Sequence, residues 1–98
     1  MKDGVLLVNV ARGTIVDQPA LIAALQSGKV GGAGLDVTNP EPVEADSPLL
    51  SMDNVVITSH IASASVRAAE LLRQGVVATV VHSLRGERIP NCVNGVTQ

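Results

Sequence analysis

Arg12, Asp36, Glu41 and His60 are the side chains of this 98-residue chain whose types and placement could do chemistry together. A guanidinium fork can hold a carboxylate through two parallel hydrogen bonds. An imidazole can exchange a proton near neutral pH, and a carboxylate beside an imidazole fixes its tautomer and favours its charged form. These are the parts needed to reduce a 2-keto acid: an anion clamp, a proton donor and a group that orients the donor. Each residue also has a plainer reading. Arg12, next to Gly13, could be a solvated turn residue paired with Asp17, since surface ion pairs are ordinary. Asp36 could cap the turn it precedes, Glu41 lies between Pro40 and Pro42 as a loop carboxylate, and His60 could be a satisfied histidine at a strand end. His82 falls on a helical stretch and reads as structural or surface. Shared position favours chemistry, because Arg12, Asp36 and His60 each follow an apolar run where the backbone turns.

The elements that would position them can be read in order. Gly4 to Val10 is a short apolar run rich in β-branched residues and without clean alternation, as in a strand covered on both faces. Asp17 then stands at a helix N-cap with Pro19 in the first turn, and Leu21, Ile22 and Leu25 follow at helical spacing up to Gly28 and Lys29. The run from Gly31 to Val37 predicts a small-residue strand, in which glycine signals that a ligand or a helix approaches the backbone closely. Thr38 to Met52 carries Pro40, Pro42 and Pro48 and reads as a long irregular loop, a common place for function. Val55 to Thr58 predicts a second buried strand, with His60 just beyond it. Ser63 or Ser65 would cap a final helix whose apolar stripe is Val66, Ala69, Leu72, Val76, Val80 and Leu84, ending near Arg85 and Gly86. This order argues for an α/β architecture of parallel strands with helices on both sides. Ligands of such sheets bind beyond the carboxyl ends of the strands.

Composition narrows the function classes. The formal charge is -2, no basic cluster occurs and Phe, Tyr and Trp are absent, so nucleic acid is not an expected partner. The core must be built from Val, Leu, Ile and Ala. Cys92 is the single cysteine, which excludes an internal disulfide and fits a reducing, cytoplasmic compartment. The apolar run from Val5 to Val8 is too short for a secretory signal, and no stretch is long enough to span a membrane despite a mean hydropathy of +0.34.

Four stretches carry a resemblance: Val8-Asn9-Val10-Ala11-Arg12-Gly13, Gly34-Leu35-Asp36-Val37, Pro40-Glu41-Pro42 and Ser59-His60-Ile61-Ala62. Together, and in this order, they resemble the C-terminal half of the NAD(P)-binding domain of the D-isomer-specific 2-hydroxyacid dehydrogenases, over nearly the whole chain. The resemblance implies an oxidoreductase that moves a hydride between NAD or NADP and a 2-keto or 2-hydroxy acid. It implies that Arg12 binds the substrate carboxylate and carbonyl, that His60 is the general acid or base, and that Glu41 hydrogen-bonds His60. It further implies a cofactor site formed by Val10, Ala11, Arg12, Asp36, His60, Ile61, Ala62 and Ser63, with Asp36 on the nicotinamide side. The stretches Thr38 to Pro42 and Leu84 to Glu87 lean toward glyoxylate/hydroxypyruvate reductases over phosphoglycerate dehydrogenases. No metal site is expected, and a homodimer is expected of a full-length parent.

Departures accompany the matches. Ser59 precedes the histidine where the family often has proline, and Thr38 stands where an aromatic is common. No Gly-x-Gly-x-x-Gly follows a strand, so the pyrophosphate-binding turn is missing from these residues. The expectation is a partial Rossmann-type, doubly wound parallel sheet lacking its first βαβ units, with residues 86–98 a tail that returns to an absent substrate domain. Such a chain would start partway through the domain, expose a strand edge and be catalytically silent alone. The other class considered is a non-catalytic, NAD-sensing module resembling the C-terminal-binding transcriptional corepressors, which keep the same residue types.

Overall fold

The computed structural model describes residues 1–89 and 91–94. They fall into two compact units, Met1–Ala62 and Ser63–Gln98. The first contains strands β1 (Val5–Asn9), β2 (Val30–Leu35) and β3 (Val55–Ile57), and helix α1 (Gln18–Gln26). Short 3-10 turns at Gly13–Ile15 and Pro48–Ser51 complete it. The three strands form one parallel sheet in the order β1-β2-β3. With every strand running the same way, Arg12, Asp36 and His60 follow adjacent carboxyl ends.

Helix α1 forms where the sequence predicts it. The Asp17 carboxylate accepts from the Ala20 amide at 3.0 Å, satisfying one orphan donor of the first turn, and Pro19 occupies a position where no amide is needed. Gly28, at φ +76°, stops the helix in a conformation that costs a glycine little. Lys29 does not remain at the helix end: its ammonium meets Asp3 at 2.5 Å, beside the bond from the Gly4 amide to the Lys29 carbonyl. That exposed pair contributes at most about 1 kcal/mol.

The core is aliphatic, as the composition requires. Leu21 and Leu25 of α1 join Val30, Ala33 and Leu35 of β2 and Leu49 from the loop, with Leu7, Val55 and Ile57 packed at its margin. Burying each large side chain contributes about 1.5–3 kcal/mol. Within this unit α1 covers one face of the sheet, so β1 alternates in burial although its sequence does not. Leu6, Val8 and Val56, pointing the other way, are 75%, 73% and 66% exposed. Both β1 and β3 pair only with β2 among the described residues.

At Gly31 and Gly32 the close approach is made by main chain, while Gly34 lines the open face of the sheet. A Cβ on Gly31 would lie 2.7 Å from the Gly4 carbonyl oxygen, so it is the turn entering β1 that needs the space.

The second unit holds helix α2 (Val66–Leu84). Of the two candidate caps, Ser65 is used: its hydroxyl accepts from the Ala68 amide at 3.0 Å. Gly86, at φ +66°, ends the helix as expected. No residue of α2 is buried, and its apolar stripe is exposed, with Leu72 at 69%. Beyond α2 the described residues form no further helix or strand, so the unit offers the stripe no partner of regular structure. The expected tail over 86–98 lies partly outside the described residues. Among the described residues no helix is long and apolar enough to cross a membrane.

Candidate active site

The first arm of the site leaves β1. Asn9, only 4% exposed, closes the turn from inside: its side-chain oxygen accepts from the Ala11 amide at 3.1 Å and its side-chain nitrogen donates to the Arg12 carbonyl at 2.9 Å. Gly13 follows because nothing larger fits. A Cβ there would lie far inside van der Waals contact of the Thr38 carbonyl, so the Arg12 turn is seated directly on the loop leaving β2. The plainer alternative for Arg12, a pairing with Asp17, does not form. Asp17 is used as the α1 cap, and the exposed Arg12 guanidinium donates to the Ala11 carbonyl at 2.6 Å.

The second arm leaves β2. The Asp36 amide donates to the Asn9 carbonyl and the Asp36 carbonyl accepts from the His60 amide, both at 2.9 Å, which extends the parallel ladder past the strand ends. The Asp36 carboxylate, 5% exposed, accepts from the Thr58 hydroxyl and the Ile61 amide on one oxygen and from the Ala62 amide on the other. These donors hold its pKa below the ordinary carboxylate value. Thr58 has the largest effect and the Ala62 amide the next; burial opposes them, and the Ile61 amide and the His60 charge add to the lowering. Asp36 is thus the hub of the 58–62 turn. One acceptor direction on its second oxygen is left over.

The third arm brings Glu41 to His60. Thr38, buried, donates its hydroxyl to the Pro40 carbonyl at 2.8 Å, and the Asn39 amide donates to the Gln18 side chain at 3.1 Å, so the loop is anchored on the first residue of α1. Both the Asn39-Pro40 and Glu41-Pro42 bonds are cis. His60 has φ +57°, in the left-handed region that a non-glycine residue occupies only when its surroundings hold it there. The bonds from Asp36 to residues 60, 61 and 62 do so. Its Nδ1 then lies 2.7 Å from a Glu41 carboxylate oxygen, with the two side chains 45% and 42% exposed. A carboxylate can only accept, so Nδ1 keeps its proton and donates it in a hydrogen bond to Glu41, leaving Nε2 as the nitrogen that can exchange a proton with a ligand.

Of the residues singled out in the sequence, the structure therefore joins Glu41 to His60 and ties Asp36 to the turn carrying His60. Arg12 follows β1, on the far side of β2 from β3, and those two outer strands lie about 10 Å apart by the spacing of two strand intervals. A shallow cavity of about 290 Å³ on the uncovered sheet face is lined by Val8, Val10, Val56, Ile61 and Ala62, with Asp36 at its edge. Thus Val10, Asp36, Ile61 and Ala62 share one surface, Ala11 carries the amide held by Asn9, and Ser63 opens the second unit. A second cavity of about 490 Å³ lies between the proline loop and β3, bounded by Glu41, Leu50, Ile57 and Ser59. Sequence reasoning assigned no role to Asn9 or Thr58. Their signal was a polar side chain inside or at the end of an otherwise apolar strand, where burial without a partner is costly.

Comparison with known proteins agrees with this architecture. Residues 1–62 match the family model described as the D-isomer specific 2-hydroxyacid dehydrogenase, NAD binding domain. Over 94 residues, 96% of the chain, the sequence is 46% identical to a glyoxylate/hydroxypyruvate reductase B of Cronobacter sakazakii. It is 50% identical over 95 residues to a D-3-phosphoglycerate dehydrogenase of Archaeoglobus fulgidus. The chain spans 29% and 18% of the lengths of these relatives. A crystal structure of a D-isomer specific 2-hydroxyacid dehydrogenase from Xanthobacter autotrophicus, in complex with NADPH and MES, superposes with a TM-score of 0.80 at 42% identity. The match covers 96% of this chain and 38% of that one. With its three parallel strand ends and the motifs they carry, the chain belongs to the D-isomer specific 2-hydroxyacid dehydrogenase family, residues 1–62 matching its NAD-binding domain.

Proposed function

We propose that this chain supplies the catalytic wall of an NAD(P)-dependent D-2-hydroxyacid dehydrogenase acting on a small 2-keto acid of the glyoxylate or hydroxypyruvate class. The observation that carries the reading is the 2.7 Å contact between His60 Nδ1 and Glu41, made across a loop at the same carboxyl end of the sheet that bears Arg12. The guanidinium of Arg12 binds the substrate carboxylate and lies against the carbonyl oxygen, where negative charge develops during reduction. His60, oriented by Glu41, gives its Nε2 proton to that oxygen, and in the reverse direction takes it back. Bound NAD(P)H supplies the hydride to the carbonyl carbon. The apolar surface formed by Val8, Val10, Val56 and Ile61 beside Asp36 suits the flat nicotinamide ring, with the remaining acceptor direction of Asp36 available to a polar group on its rim.

These 98 residues carry the catalytic side chains but no Gly-x-Gly-x-x-Gly turn for the pyrophosphate, and we expect no turnover from them alone. The test is a chimera in which the 94 matched residues of the Cronobacter sakazakii reductase are replaced by those of this chain. Reduction of glyoxylate and hydroxypyruvate is then followed with NADH and with NADPH. Turnover that disappears with Arg12→Gln supports the reading. A folded chimera that binds cofactor and is indifferent to that substitution points to a binding module, and turnover by the isolated chain sinks the claim that it is silent.

A further inference from the structure

We propose that Asn9 is a positioning residue for Arg12 and for the spacing between Arg12 and His60, an inference that rests on the functional reading above. Asn9 is buried, yet both ends of its amide are used on the main chain around Arg12. Its nitrogen donates to the Arg12 carbonyl at 2.9 Å and its oxygen accepts from the Ala11 amide at 3.1 Å. The peptides entering Ala11 and leaving Arg12 are therefore each held by one end of the same amide, and the turn between them cannot swing without breaking one of these bonds. An apolar residue would suit the burial but would leave a donor and an acceptor of that turn without partners, a cost borne at the base of the guanidinium.

The main chain of Asn9 extends the same control across the sheet. Its carbonyl accepts from the Asp36 amide, and the Asp36 carbonyl accepts from the His60 amide, both at 2.9 Å. One residue thus holds Arg12 through its side chain and registers it against His60 through two consecutive backbone bonds. A fork placed by one such turn is sensitive to it, because misplacement by about 1 Å can cost on the order of 100-fold in a reaction that depends on orientation.

A double-mutant cycle in the chimera separates positioning from general structure. Asn9→Ala and Asn9→Asp are each combined with Arg12→Gln. The probe is oxamate, an isostere of a 2-keto acid, titrated by calorimetry with cofactor present, alongside KM and kcat for glyoxylate. Melting curves check folding. Asn9→Asp keeps the size and the acceptor for Ala11 but loses the donor to Arg12, so it serves if the alanine variant does not fold. The expected result is oxamate affinity weakened by roughly 10- to 100-fold, a matching rise in KM for glyoxylate, an unchanged KM for the cofactor, and no further loss once Arg12 is already glutamine. A loss of the same size in the Arg12→Gln background would show independent action and overturn the inference, as would unchanged affinity in the Arg12 background. If Arg12→Gln itself leaves oxamate binding intact, the functional reading falls, and this inference with it.

Discussion

His60 meets Glu41 at 2.7 Å and His82 meets Glu87 at 2.6 Å, each through Nδ1, and all four side chains are between 41% and 46% exposed. As isolated contacts the two pairs are nearly identical, yet their settings differ in kind. His82 lies in the last turn of α2 and Glu87 just beyond its end, five residues apart, so the pair is local and one helix end can form it. His60 and Glu41 are nineteen residues apart, brought together by a sheet, an anchored loop and a left-handed turn built on the Asp36 carboxylate. A histidine beside a glutamate is therefore a poor sign of a site by itself. The informative part is the framework that holds one pair at a row of strand ends and does not serve the other.

Substitutions in the chimera can break or sharpen this contrast. The largest effect is expected for His60→Gln, which should lower kcat by on the order of 1,000-fold, while His82→Gln leaves it unchanged; equal losses would erase the distinction. Glu41→Gln keeps a hydrogen-bond acceptor but removes the charge that orients the imidazole, and kcat should fall by on the order of 100-fold. Glu87→Gln should leave turnover alone, and a comparable drop there would contradict the assignment.

The framework itself can be attacked at Gly13. A Gly13→Ala substitution forces the Thr38 carbonyl away and should cost about 1–3 kcal/mol in denaturant unfolding. Unchanged stability would mean that the two turns are not seated on each other. The helix-end pair should be indifferent, with helicity of α2 retained.

Acid sharpens the comparison least strongly but most cleanly. The Asp36 pKa is lowered in the fold, chiefly by the Thr58 hydroxyl and then by the Ala62 amide. Its contribution to stability is thus present above the unfolded aspartate value of about 3.9 and is lost as pH falls through the lower folded value. Melting temperatures between pH 5 and 2 should show this acid-dependent component in the parent and its loss in Asp36→Asn. An identical acid profile in Asp36→Asn would remove the carboxylate from the role given to it.

Much of this was legible in the sequence because it depends on near neighbours. The Asp17 cap, the glycine stops at Gly28 and Gly86 and a cap at Ser63 or Ser65 follow from which residues can satisfy or end a helix within a few positions, and the fold chose Ser65. Other features were misread where the answer lay far along the chain. Lys29 was expected at the helix end and is claimed by Asp3, and the close approach at Gly31 comes from the Gly4 carbonyl, which no local pattern announces. Asn9 and Thr58 went without a role because a polar residue in an apolar run announces only that it needs a partner, not which one.

The sequence by itself determined the repertoire: an aliphatic core, strands short enough to alternate with helices, and a guanidinium, two carboxylates and an imidazole placed after apolar runs. Tertiary structure decided their relations. Parallel pairing in the order β1-β2-β3 put Arg12, Asp36 and His60 at one end of the sheet, and the bonds around Asp36 and His60 settled which carboxylate supports the turn and which meets the imidazole. The physical reason is range. Caps and turns are satisfied within a few residues, whereas a buried carboxylate or amide takes whichever donors the folded chain brings within about 3 Å.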